Sequence, residues 1–107
     1  METMNDISFA EQVKQVIKSI PYGRVATYGQ IAFMAGNYRA ARQVAWVLHS
    51  SSENDKLPWH RVINIKGCIS LPFGEGYEQQ KHLLLSEGIE LDEHDRVDLK
   101  RFMWQEA

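Results

Sequence analysis

The chain has 107 residues, room for one hydrophobic core and not two, and its 44% hydrophobic and 24% charged residues fit a folded domain rather than a disordered one. No apolar run approaches the ~20 residues that span a bilayer, and the acidic start Met1-Glu2-Thr3-Met4-Asn5-Asp6 is no signal peptide, so an intracellular, cytoplasmic protein with no membrane attachment is expected. The single Cys68 cannot form an internal disulfide, in keeping with a reducing compartment, and the net charge of −2 argues at first against a polyanionic partner.

Ser8-Phe9-Ala10-Glu11 has the capping-box pattern, in which a serine and a glutamate satisfy orphan N–H groups of a first helical turn. Phe9, Val13, Val16, Ile17 and Ile20 follow at helical spacing, which predicts a first helix ending at Pro21. After a Tyr22-Gly23 turn, Thr27-Tyr28-Gly29-Gln30 repeats the capping pattern and opens a short second helix to Met34 or Ala35, stopped by Gly36-Asn37. A third helix is predicted from Tyr38 to His49, with Ala41, Val44, Ala45 and Leu48 facing inward and Arg39, Arg42 and Gln43 facing out. Two helices joined by a turn containing glycine make a helix-turn-helix, with the second as recognition helix.

Ser50 to Lys56 reads as an exposed loop. Val62-Ile63 and Cys68-Ile69, bracketing Ile65-Lys66-Gly67, predict a short β-hairpin, the wing of a winged-helix fold. Leu71 to Gly76 is a second loop, and Tyr77 to Glu87 a last substantial helix closed by Gly88. The stretch from Glu90 to Asp98 is acidic and polar, leaving Leu99, Phe102, Met103 and Trp104 to dock back. The expected fold class is mainly α with a small β-hairpin: a single winged-helix domain over residues 1–107 with an acidic C-terminal tail.

Charge is distributed unevenly along this order. From Val13 to Gly74 eight basic residues meet only Glu53 and Asp55, a net +6, whereas residues 1–12 carry −3 and residues 75–107 carry −5. A basic middle between acidic ends is the footprint of a domain with one DNA-facing side, although chance asymmetry in a small protein gives the same pattern. His49, His60, His82, His94 and Cys68 show no metal-ligand spacing, and Gly74-Glu75-Gly76 is too short to cradle a phosphate, so neither metal nor cofactor is expected.

The most informative stretch is Pro58-Trp59-His60-Arg61-Val62. A cysteine, serine or threonine beside a histidine can be activated as a nucleophile, but an indole offers only an N–H donor. The pentapeptide resembles the Pro-Cys-His-Arg-Val of the O6-alkylguanine-DNA alkyltransferases with the reactive cysteine replaced. Ile20 to Ala32, Ala40-Ala41-Arg42-Gln43-Val44 and Glu87-Gly88 match the same family in order, and Met103-Trp104 resembles its alkyltransferase-like branch. The N-terminal domain that many alkyltransferases carry is expected to be absent.

That resemblance implies a non-enzymatic protein that binds O6-alkylguanine in double-stranded DNA, flips the damaged base and flags it for nucleotide-excision repair proteins, acting as a monomer. It implies that Arg42 is the finger filling the vacated stack and that Tyr28 crowds the target's 3′ phosphate. Ala40 and Ala41 would allow close approach to a minor groove ~6 Å wide, with Arg39 touching a phosphate. The lesion pocket would be formed by Tyr28, Trp59, Val62 and Ser51, with carbonyls of Trp59 and Val62 receiving the guanine edge. His60 and Glu87, which match a proton-relay pair, have no acceptor atom to activate and are expected to support the pocket. Two departures stand out: Ser51 replaces the asparagine that holds the family's pocket loop, and Leu71-Pro72-Phe73 offers no charge where some relatives place an arginine. Two rival readings remain: a winged-helix regulator without lesion specificity, and an active transferase using Cys68 or a water-activating His60.

Overall fold

Ser8 opens α1 (Phe9–Lys18) through its hydroxyl, which accepts from the Glu11 N–H at 3.1 Å, in a computed structural model that describes residues 8–69 and 76–105, apart from the side chains of 51–54. Val13 and Ile17 are the buried residues of α1, and Ile20, just past its end, is buried as well. Two compact units share the chain: the first takes in residues up to Ser19 together with Tyr28–Trp59, the second Ile20–Thr27 together with the chain from His60 onward.

In the first unit α1 packs against α2 (Tyr28–Met34) and α3 (Ala41–Asp55), which also pack on one another. Ile31 and Ala32 of α2 and Val44, Val47 and Leu48 of α3 are buried, giving each helix one apolar stripe. α2 ends in a turn in which the Asn37 N–H donates to the Ala32 carbonyl at 2.9 Å. The third helix departs from expectation at both ends. It begins after Ala40 because the Asn37 side chain accepts from the Arg39 N–H at 3.1 Å and its carbonyl accepts from Ala40 at 3.0 Å, a turn that competes with the helix. It also runs through the segment expected as a loop, to Asp55, whose carboxylate meets the Lys14 ammonium at 3.1 Å. Lys56 then stops it in a left-handed conformation, φ 53°.

The second unit is built on two-residue strands, β1 (Ala26–Thr27) and β2 (Val62–Ile63), paired in parallel with Ala26 opposite Val62 and Thr27 opposite Ile63. The fold is mainly helical with a small β element, as expected, but the partner of Val62–Ile63 is not Cys68–Ile69. All four strand residues are buried, the usual setting of parallel pairs. The turn after β2 does form: the Asn64 side chain accepts from the N–H groups of Lys66 and Cys68, both at 2.9 Å, and Gly67 adopts φ +80°. A side chain at Gly67 would lie 2.4 Å from the Val97 carbonyl, so that position accepts only glycine.

Helix α4 (Tyr77–Ser86) buries Gln80 and Leu84 and closes at Gly88, φ +82°. The segment expected as a loose acidic tail is instead ordered. Leu91 pairs with Val97 and Cys68 with Arg96, while the Asp92 carboxylate accepts from the N–H groups of His94 and Arg96. Asp95 is held by the Tyr77 hydroxyl at 2.8 Å and the Lys81 ammonium at 3.0 Å, and those bonds keep its carboxyl below the usual range. Asp98 caps α5 (Leu99–Phe102), after which Met103 bridges Val25, with the Trp104 N–H donating to the Val25 carbonyl at 2.7 Å. Val25, Ile63, Ile69, Leu84, Ile89, Val97 and Phe102 form the core of this unit. Among the described residues no helix is long and apolar enough to cross a membrane.

Candidate functional site

The first unit holds the residues that the sequence assigns to DNA contact. Tyr28 begins α2 and is half-buried. Arg39 stands before α3 rather than on it, exposed, with its guanidinium 5.4 Å from the Tyr38 ring centre and its Nε donating to the Tyr38 hydroxyl at 3.1 Å. Ala40 is 6% exposed, so it points inward and leaves only backbone to offer. Ala41 and Arg42 form the first turn of α3, half-buried and exposed respectively. Ser51 lies in α3, with its side chain outside the described residues, and Leu71-Pro72-Phe73 also lies outside them. Trp59 is half-buried at the start of a single 3-10 turn, Trp59–Arg61, and its N–H donates to the Leu57 carbonyl at 2.7 Å.

In the second unit one carboxylate organises the surrounding side chains. Glu87, its side chain 6% exposed, accepts from His60 Nε2 at 2.6 Å, from Arg61 Nε at 3.0 Å and Nη2 at 2.8 Å, and from the Gly23 N–H at 2.8 Å. Arg61 reaches further, donating through Nη1 to the Ile20 carbonyl at 2.9 Å and lying 5.7 Å from the Tyr22 ring centre. Burial alone would raise the Glu87 carboxyl, but the hydrogen bonds from Arg61, Gly23 and His60 outweigh it and hold the pKa at about 2. An ionised carboxylate only accepts, so the proton in the 2.6 Å bond belongs to His60 Nε2. Glu87 therefore does not take up that proton at neutral pH. The group fixes the imidazole and fastens the chain at 20–23 and 60–61 to the end of α4.

Gln80 is the residue that sequence reasoning missed. It is 2% exposed, and its amide nitrogen donates to the carbonyls of His60 and Val62, both at 3.0 Å. The Val62 carbonyl, expected to meet the guanine edge, thus already has one protein partner. The readable signal was a polar residue interrupting the apolar stripe Tyr77, Gln80, Leu84 of α4. Arg61 and Gly23 carried no such signal, because their role depends on a carboxylate 26 and 64 residues away in sequence. Cys68, the one thiol, is half-buried in the Asn64 turn, and no group of three or more His, Cys, Asp or Glu residues able to hold a metal ion occurs among the described residues.

With this geometry in place, residues 8–89 match the family model described as 6-O-methylguanine DNA methyltransferase, DNA binding domain. The chain is similar to a DNA base-flipping protein of Escherichia coli, 45% identical over 97 residues that span 91% of this chain and 74% of the relative. It is also similar to Alkyltransferase-like protein 1 of Schizosaccharomyces pombe, 36% identical over 91% of this chain and 94% of that protein. Among solved structures, S. pombe Atl1 in complex with damaged DNA containing O6-carboxymethylguanine superposes with a TM-score of 0.82 at 33% identity, covering 99% of this chain and 100% of that one.

Proposed function

We propose that this chain, which belongs to the 6-O-methylguanine DNA methyltransferase family through its DNA-binding domain, is a non-enzymatic reader of O6-alkylguanine in double-stranded DNA. It binds as a monomer inside the cell, turns the damaged base out of the helix, holds it and flags the site for nucleotide-excision repair proteins. The observation that carries this reading is Trp59 between Pro58 and His60: the family's pentapeptide stands intact around a side chain that cannot accept an alkyl group. Relatives named for base flipping and for alkyltransferase-like character support it, as does the likeness to Atl1 bound to damaged DNA.

The chemistry follows from where O6 lies. It is a major-groove atom engaged in pairing, so inspecting an alkyl group there is easier once the base is extruded. Extrusion leaves a gap, which the planar Arg42 guanidinium fills while it hydrogen-bonds the orphaned partner base. Tyr28 crowds the 3′ phosphate and helps rotate the nucleotide, and Arg39 contacts a phosphate. The indole of Trp59 lines the pocket, and the carbonyls of Trp59 and Val62 receive the guanine edge. His60, Arg61 and Glu87 act as supports. With no charge at Leu71-Pro72-Phe73, discrimination among alkyl groups rests on shape and aromatic contact.

The test is equilibrium binding to two duplexes identical except for one O6-methylguanine. A reader binds the damaged duplex more tightly and gives an unstacked signal from a fluorescent base analogue at the target. Equal affinity for both duplexes would instead identify a DNA binder without lesion specificity.

A further inference from the structure

The outward face of α3 does not end at Arg42. Arg42, Trp46 and His49 recur at the i, i+4, i+7 spacing that lines up side chains on one stripe of a helix. All three are exposed, whereas Val44, Val47 and Leu48 are buried. Trp46 is 70% exposed. A single exposed apolar side chain means nothing alone; its register with Arg42 gives it meaning. One helical turn separates the two, ~6 Å along the axis at 1.5 Å per residue, which is about two base-pair steps of 3.4 Å. No carboxylate stands anywhere from Arg39 to Ser50, and the two formal charges there, Arg39 and Arg42, are both positive. A polyanion lying along this stripe meets no repulsion from it.

Building on the reading that Arg42 enters the base stack, we propose that Trp46 is a second DNA-contacting residue whose indole packs against the sugar walls of the minor groove and wedges it open. Ala41 suits a groove ~6 Å wide, but an indole enters only by spreading the walls. Apolar wedges of this kind partly unstack base steps and bend the duplex toward the major groove. A duplex loosened about two base pairs from the target has less stacking left to lose when the damaged base departs. Trp46 thereby works on the duplex rather than on the lesion itself, and it contributes to binding whether or not the guanine is alkylated.

The experiment compares wild type, Trp46→Ala and Trp46→Phe on a duplex with one O6-methylguanine and on its undamaged counterpart, with dyes at the duplex ends reporting the bend. Trp46→Ala is expected to weaken binding to both duplexes by about tenfold, the loss of a contact worth about 1.4 kcal/mol, to reduce the bend, and to keep the preference for damage. Trp46→Phe, which keeps an aromatic wedge, recovers most of both. Wild-type affinity and bend in Trp46→Ala would overturn the proposal, and so would a loss confined to the damaged duplex, which would put the indole at the lesion. Failure of the lesion reading is a separate result: wild type would bind both duplexes equally, with the effect of Trp46 still measurable on either.

Discussion

The side chains singled out in the two units are used in opposite ways. In the first, Arg42 and Trp46 stand exposed on one stripe of α3, with Arg39 just before it. In the second, the residues that most resemble catalytic machinery are bonded inward, Glu87 to His60, Arg61 and Gly23, and Asp95 to Tyr77 and Lys81. The difference teaches that a histidine–carboxylate pair bonded in this way holds the chain together, and geometry alone does not make it a sign of chemistry. On the reading proposed above it has no nucleophile to activate, and function is sought among the side chains left facing solvent.

Breaking the fastener should have the largest effect. Removing one partner of a buried ionic group costs roughly 3–5 kcal/mol because the others are left uncompensated, so Glu87→Ala should lower the unfolding free energy measured in urea by that amount or fail to fold. The pH dependence has the same origin. The folded-state pKa of Glu87 lies at about 2, below its ordinary 4.5, so its stabilisation is fully present above that ordinary value and is lost as pH falls through 4.5 toward 2. Acid titration of wild type should show this loss, and Glu87→Gln should lack that part of it. An unchanged acid profile in the variant would mean that Glu87 is not held as described.

A smaller effect is expected at Gln80. Gln80→Leu leaves the His60 and Val62 carbonyls without that donor, a loss of about 1–3 kcal/mol, and should weaken damaged-duplex binding more than undamaged, since Val62 shifts. The least change in stability belongs to the first unit: Arg42→Ala and Arg39→Ala should each stay within about 0.5 kcal/mol of wild type in urea unfolding. Their binding should separate them. Arg42→Ala should lose damaged-duplex affinity preferentially, together with the unstacked signal, because unstacking costs a few kcal/mol that the finger no longer offsets. Arg39→Ala should weaken both duplexes alike and flatten the salt dependence by about one charge. A strongly destabilised Arg42→Ala would erase the contrast between the units.

Much of the first unit was legible because its signals are local. The capping box at Ser8, the stripe Val13 and Ile17 and the Gly36-Asn37 stop all operate within a few residues. The start of α3 was misplaced because the Asn37 turn competes with the helix for the same backbone. Its extension past His49 was missed because Ser50 to Asp55 has weak helix propensity, and the Lys14 contact to Asp55 is not a local signal. Two-residue strands carry no periodicity, so the pairing of Ala26–Thr27 with Val62–Ile63 left no mark in the sequence. The tail from 90 to 98 read as loose because it is polar, yet its Asp92 and Asp95 carboxylates bond the turn that presents Val97 to the core. At the candidate site, Trp59 and His60 were readable from one motif, while the role of Gln80 required the fold.

A protein that reads a lesion without reacting with it is tested most directly by the mass of the chain, with the base composition of the DNA, after incubation with excess duplex carrying O6-methylguanine. Unchanged protein mass and intact O6-methylguanine are predicted, because the residue beside His60 is an indole that cannot accept an alkyl group and Glu87 is bonded to His60 and Arg61. A methyl group found on the chain, at Cys68 or elsewhere, or guanine restored in the DNA, would contradict that reading.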